Sequence, residues 1–176
     1  MNQMKIARAN FEDVTELNRL VNSAYRGEES KTGWTTEAEI LDGIRIDEQA
    51  VVMLLGKSGV TILKTSDVDG KILGTVCLEV KPNGLYLGMF AVSPDSQGLG
   101  IGKSLLSAAD RFALENSCGS IIISVISTRI ELIDWYKRQG FVSTGSSIAF
   151  DEIEGRFGDP KVADIRLIEM EKVLNK

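Results

Sequence analysis

The chain predicts a mixed α/β fold of three αβα layers: a central, mostly antiparallel sheet with one parallel strand pair and helices on both faces. Three observations carry this expectation. Residues 59–92 contain three strand-like runs separated by the turns Asp67-Val-Asp-Gly70 and Pro82-Asn-Gly84, the pattern of an antiparallel meander. The apolar run Leu85–Val92, an amphipathic helix from about Gly100 to Asn116 and the almost continuously apolar Ile121–Ile126 then follow in order. That order predicts a right-handed βαβ unit whose two strands lie parallel and are covered on both faces. Finally, helical spacing near the start of the chain supplies a second helical layer.

Taken in order, Lys5–Arg8 reads as a short first strand. Asn10 can cap the helix after it, with Asp13 three residues on and apolar positions at Val14, Leu17, Val21 and Ala24. Thr36 and Glu39 have the spacing of a capping box for a shorter helix ending at Gly43, and Asp47–Leu55 reads as helical. Gly59–Lys64 and Lys71–Val80 alternate as strands and lead through Pro82-Asn-Gly84 into Leu85–Val92. In the helix after the glycine turn, Ile101, Leu105, Ala108, Ala109 and Phe112 share a face. Residues 129–139 form a last helix, and Phe141–Thr144 and Val162–Lys172 supply closing strands.

At 176 residues the chain predicts one domain spanning residues 1–176, long enough to bury a proper core. Neither repeats nor linkers interrupt it. The start lacks the apolar stretch of a signal peptide, and no apolar run approaches the ~18 residues needed to span a bilayer. Cytoplasmic residence, with no membrane partner, is the expectation. A net charge of −5 argues against nucleic-acid binding, which needs basic surface to displace counterions. Cys77 and Cys118 sit in apolar surroundings and read as buried thiols, and the chain has no histidine. So few soft ligands predict no metal site.

The segment from Val92 to Ser104 holds the strongest chemical signal. A strand feeds glycines at 98, 100 and 102, and these open a helix whose first N–H groups lack intrahelical partners. Such a turn is a candidate cradle for phosphate or pyrophosphate. A dinucleotide-binding turn fits poorly, because the third glycine comes one position early. A P-loop is nearer: Gly102-Lys103-Ser104 matches its end, but Gln97 replaces its first glycine. Ser127-Thr128 also stands where a magnesium-holding aspartate is wanted.

A third pattern fits. Gln97-Gly-Leu-Gly100-Ile-Gly102, preceded by Val92-Ser-Pro94, resembles the acetyl-CoA loop of the GNAT superfamily of N-acetyltransferases. Glu131 through Phe141, with its Tyr136-x-x-x-Gly140-Phe141, resembles the last helix and following strand of that family. The clear resemblance covers about residues 70–145.

The resemblance implies a GNAT-like sandwich in which the parallel strands splay apart, and acetyl-CoA as cosubstrate. The pantetheine arm would enter the gap beside main-chain groups of Met89, Phe90 and Val92, while Gln97, Gly98, Leu99, Gly100, Ile101, Gly102 and Lys103 hold the pyrophosphate. Tyr136 resembles the family tyrosine that faces the sulfur and donates a proton to the departing thiolate. Many members carry an asparagine seven residues before it. Here Arg129 stands there, either taking over that contact or pairing with an acid elsewhere.

Where some relatives place a glutamate base, this chain has Tyr86. Glu79 is a candidate base acting through water; alternatively, the amine loses its proton directly to solvent. The acceptor pocket of the family draws on the first helices, here Tyr25 to Trp34, so Tyr25, Glu28 and Trp34 are candidates to bind a cationic, small-molecule amine. The implied activity is acetyl transfer to a primary amine by direct attack on the thioester. A non-catalytic acyl-CoA-binding module of the same fold and a P-loop-type nucleotide-binding protein stay open as alternatives. The resemblance also admits a homodimer, though no sequence patch requires one.

Overall fold

The computed structural model describes residues 4–175; residues 1–3 and 176, the ends of the expected 1–176 domain, lie outside the described residues. The first strand, β1 (Lys5–Arg8), is followed by a short 3-10 turn and α1 (Val14–Tyr25). The expected cap is present: Asn10 Oδ1 accepts from Glu12 N at 2.9 Å and Asp13 Oδ2 accepts from Asn10 N at 2.9 Å. A single helical turn, α2 (Gly27–Ser30), and a two-residue strand, β2 (Leu41–Asp42), precede α3 (Glu48–Gly56), capped by Asp47. The meander β3 (Val60–Ser66), β4 (Ile72–Lys81) and β5 (Gly84–Val92) leads to α4 (Ile101–Glu115), β6 (Ser120–Ile126) and α5 (Ile130–Arg138). Strands β7 (Val142–Ala149), β8 (Asp159–Pro160) and β9 (Arg166–Val173) complete the chain.

Seven strands form one sheet in the order β1-β3-β4-β5-β6-β9-β7, antiparallel except for β5 and β6, while β2 and β8 pair separately. One face carries α1 and α3, whose Val14, Leu17, Leu20, Val21 and Val51 pack on Ile62, Ile72 and Cys77. The other carries α4 and α5, with Ile101, Leu105, Ala109 and Ile133 against Leu63, Val76 and Leu78. Phe112 is only partly buried, and Leu106 and Ala113 fill that face of α4 instead. Both cysteines are buried and unbridged, and burial pushes the Cys77 thiol up to about 11.

A β-bulge interrupts β5. Thr75 faces Ala91 and Cys77 faces Gly88, so Met89 and Phe90 together oppose Val76. The extra residue places Met89 at φ +48°, in the left-handed region that side chains other than glycine rarely adopt. It also reverses the alternation of the strand. Before the bulge, Leu85 and Leu87 face α4; after it, Met89 and Ala91 face α1, and Phe90 and Val92 turn toward α4 and α5. The parallel partner is lost just ahead of the bulge. β5 pairs with β6 only at Leu85–Ile121 and Tyr86–Ile122, whereas β6 keeps its antiparallel partner β9 along its whole length.

Two expectations from the sequence are corrected. The helix from Thr36 to Gly43 does not form: Glu39 pairs with Lys31 at 3.2 Å instead of closing a capping box, and Glu37 is drawn into the interior. Only one turn remains, closed by Leu41 N donating to Glu37 O. The closing strands are shifted as well. β7 runs on to Ala149, and β9 begins at Arg166, because 159–160 leaves the main sheet to pair with β2.

Gly74 on β4 sits directly under α4. A Cβ there would meet Ile101 Cγ2 at 2.7 Å and Leu105 Cδ1 at 3.1 Å, both on fully buried side chains. Gly74→Ala is therefore expected to destabilise the fold by about 1–3 kcal/mol, the usual cost of overpacking, as read from the midpoint of chemical denaturation. An unchanged midpoint would mean that α4 rides more loosely on the sheet than these contacts require.

Candidate functional site

The glycine turn enters α4 without a cap. Gly100 is the N-cap residue at φ +82°, no side chain accepts from the first turn, and Gly98 is also left-handed at φ +84°. A purely structural helix start would favour Ser, Thr, Asp or Asn at this position. The first helical bond runs from Ser104 N to Gly100 O at 3.0 Å, and among the described residues no amide from Gln97 through Lys103 donates to a protein acceptor. Lys103 adds a positive charge beside them. The arrangement suits an anion such as a diphosphate.

The Gln97 side chain does not point outward. Its Oε1 accepts from Trp34 N at 2.9 Å and its Nε2 donates to Val92 O at 3.3 Å, so it ties the segment before β2 to the end of β5. This close approach explains Gly33, where a Cβ would come within 2.6 Å of Gln97 Oε1.

Two cavities meet at the parted strands. The first, about 330 Å³, is lined by the glycine turn, the start of α4, Trp34, Val92 and Trp135. The second, about 250 Å³, lies on the far side of the gap between Leu87–Phe90, Ile123–Ile126 and the segment Phe150–Phe157. Tyr25, Phe90, Arg129, Leu132 and Tyr136 line both. Ser93 N donates to Leu73 O across the β4 edge, so by alternation the main-chain groups of Phe90 and Val92 face the gap. Their carbonyls are engaged already, Phe90 O by the Tyr25 hydroxyl at 2.7 Å and Val92 O by Gln97, which leaves N–H groups to meet a ligand.

Tyr136 is buried at this junction, its ring packed edge-on against Trp135 and Phe141 at centroid distances of 5.2 and 5.4 Å. Its hydroxyl has no hydrogen-bond partner among the described residues. Burial raises its pKa above the ordinary phenol value, and burial likewise raises that of Tyr25 despite the nearby Arg45.

Beneath the junction lies a charged cluster that sequence reasoning half missed. Glu37 sits between two guanidiniums, Arg26 Nε at 3.3 Å and Arg129 Nη1 at 3.0 Å, all three side chains less than a tenth exposed. Arg129 Nη2 also donates to Thr35 at 2.8 Å. Arg129 thus pairs with an acid, the second of the two roles open to it in the sequence. Glu37 carried no signal beyond one polar position in Trp34-Thr-Thr-Glu37. The segment Phe150–Phe157, which closes the second cavity, was missed too; its mix of aromatic and charged residues was the available hint.

The other expected residues divide. Phe90, Val92, Gln97, Gly98, Gly100, Ile101, Gly102 and Lys103 line the first cavity with Tyr25 and Trp34, while Met89 faces the second. Leu99 is exposed and lines neither. Glu28 is exposed, pairing with Lys31 at 2.9 Å, outside both cavities. Glu79 is not brought to the site at all. It lies opposite Tyr86, roughly 20 Å along β5 from Val92 at ~3.4 Å per residue, and is held by Lys57 at 2.7 Å.

A family model for the acetyltransferase (GNAT) family matches residues 15–141, most of the chain. The chain belongs to the GNAT acetyltransferase family. No curated protein matches it, but solved structures share its GNAT fold. The ribosomal-protein-S18-alanine N-acetyltransferase from Escherichia coli aligns with a TM-score of 0.71 at 14% identity, over 99% of this chain and 96% of its own. A GNAT-family acetyltransferase from Staphylococcus aureus gives 0.66 at 19% identity, over 98% and 100%. A Bacillus anthracis acetyltransferase solved in complex with acetyl coenzyme A gives 0.57 at 21%, over 70% and 68%. Among the described residues of this GNAT chain, no group of acids and cysteines is arranged to hold a metal, and no helix is long and apolar enough to cross a membrane.

Glu37→Gln removes the charge both arginines depend on. Breaking a buried ion pair from one side costs roughly 3–5 kcal/mol, and a loss of that size is expected in urea denaturation. A loss below about 1 kcal/mol, the range of exposed pairs, would mean that solvent reaches the cluster.

Proposed function

We propose that this protein transfers an acetyl group from acetyl-CoA to the primary amine of a small-molecule acceptor by direct attack. The observation that carries the reading is the meeting of the two cavities at Tyr136, with the uncapped amides of Gln97–Lys103 at the outer end of the first. The diphosphate would lie on those amides, the pantetheine arm would run along the N–H groups of Phe90 and Val92 like an added strand, and the thioester would reach the junction. The acceptor would enter from the second cavity.

In the reaction the amine nitrogen attacks the thioester carbonyl, the C–S bond breaks, and the proton lost by the amine ends on the coenzyme sulfur. Tyr136 supplies a hydrogen bond to the sulfur as it gains charge. Its raised pKa keeps it neutral, so it acts as a donor and relay and never rests as a phenoxide. Glu37 cannot serve as base while two guanidiniums hold it. With Glu79 far away, the incoming ammonium first gives one proton to water, and the neutral amine that results is what attacks.

Tyr136→Phe tests this directly. Turnover of acetyl-CoA with a reactive amine should fall roughly a hundredfold, a typical contribution for acid–base help, while acetyl-CoA affinity by calorimetry changes less than threefold. Equal losses in both would reduce Tyr136 to packing. The pH dependence has a defined sign. Because the phenol stays protonated beyond its ordinary value near ~10, kcat/KM should rise with pH as the acceptor amine deprotonates and show no fall below about pH 10. A loss of rate between pH 8 and 9 would contradict a neutral Tyr136.

A further inference from the structure

Resting on the transferase reading, we propose that the acceptor is a small α-amino acid, whose carboxylate is read by Arg45. The size of the acceptor-side cavity points to a small molecule: about 250 Å³ lies below the ~300–1,000 Å³ of pockets for drug-sized ligands. Its charge points to an anion. In a chain of net charge −5, this cavity is lined by Arg26, Arg45, Arg129 and Arg156 against only Glu37 and Glu154. A pocket built for a plain cationic amine would carry the opposite balance.

Most of these charges are spent within the protein. Glu37 is shared by Arg26 and Arg129, Arg26 Nη1 donates to the carbonyls of Ile44 and Phe157 at 2.6 and 2.5 Å, and Arg156 reaches Asp151 at 3.5 Å. Glu154 is exposed at the rim, where solvent screens it. One guanidinium remains. Arg45 is half-buried and has neither an acid nor a hydrogen-bond acceptor for its guanidinium among the described residues. Arg129 Nε also lacks a partner, but it is sealed from solvent on a side chain 5% exposed, so this guanidinium contributes charge and no contact.

Both guanidiniums lie over one ring, Arg45 Cζ at 5.3 Å and Arg129 Cζ at 5.9 Å from the Tyr25 centroid, and Tyr25 lines both cavities. Arg45 therefore stands beside the junction where the amine must attack, with the charge of Arg129 over the same ring. An anion held there sits next to the reacting nitrogen, as the carboxylate of an α-amino acid does. The planar fork of a guanidinium matches a carboxylate with two parallel hydrogen bonds.

The test compares methionine, methioninamide and 3-methylthiopropylamine as acceptors for wild type and Arg45→Gln, with acetyl-CoA binding measured alongside. Wild type should prefer methionine over both neutral-ended amines at least tenfold in kcat/KM, and Arg45→Gln should shrink that ratio below threefold, mainly through the KM for methionine. Amines turned over with no preference for the acid would overturn the inference and leave the transferase reading standing. Failure to bind acetyl-CoA would instead remove the transferase reading. If acetyl-CoA binds but no acceptor turns over, N-acetylmethionine and N-acetylmethioninamide are titrated into the CoA-saturated protein. Tighter binding of the acid, lost in Arg45→Gln, supports the inference, and equal or absent binding overturns it.

Discussion

The site depends on one extra residue in β5. With Met89 and Phe90 sharing a single partner on β4, the strand changes course and its side chains change sides. Without that bulge, continued alternation would turn Phe90 toward α1, away from Trp135 and Tyr136, and β5 would be free to keep pairing with β6. With it, the two parallel strands part after Tyr86 and the sheet acquires an interior opening. The left-handed backbone at Met89 is a strain of about 1–3 kcal/mol, offset by full burial of the Met89 side chain and by the Tyr25 hydroxyl bound to the next carbonyl.

The opening then has to be held at the right width, and the segment between α1 and α3 does this. Tyr25 reaches across to Phe90, Gln97 joins Trp34 to Val92, and the Arg26–Glu37–Arg129 cluster fastens the same segment to the start of α5. Burying three charges contributes little net stability compared with an apolar core. What it adds here is placement, since Arg129 is fixed beside Tyr136 where both cavities meet. Among the described residues, the groups left without partners in the site are main-chain amides, the Tyr136 hydroxyl and the Arg45 guanidinium.

Much of the fold was legible in the sequence because its elements obey simple periods. The turns at Asp67–Gly70 and Pro82–Gly84 delimit the meander, and the glycine turn with its amphipathic helix marks the cradle. The bulge was not legible. Leu85 to Val92 is apolar at almost every position, so a reversal of alternation leaves no trace in the pattern, and the left-handed residue is Met89 instead of the neighbouring Gly88. The Thr36–Gly43 helix failed for a related reason. Its capping spacing is a local signal, but Glu37 answers to Arg26 and Arg129, the second of them far along the chain. Glu79 was chosen for its chemistry, and only the strand register shows that it lies at the wrong end of β5. Arg45 stands in a short connection with no period at all, so its place over Tyr25 follows from tertiary packing alone.

The proposed chemistry requires that the uncapped amides ahead of α4 take the diphosphate of the coenzyme. Amide proton–nitrogen spectra recorded while CoA, and separately pantetheine lacking the diphosphate, are titrated in would test this most directly. Saturable shifts of Gly98, Gly100, Ile101 and Gly102 with CoA, absent with pantetheine, are the predicted result. Equal shifts with both ligands, or shifts confined to residues away from this turn, would contradict it.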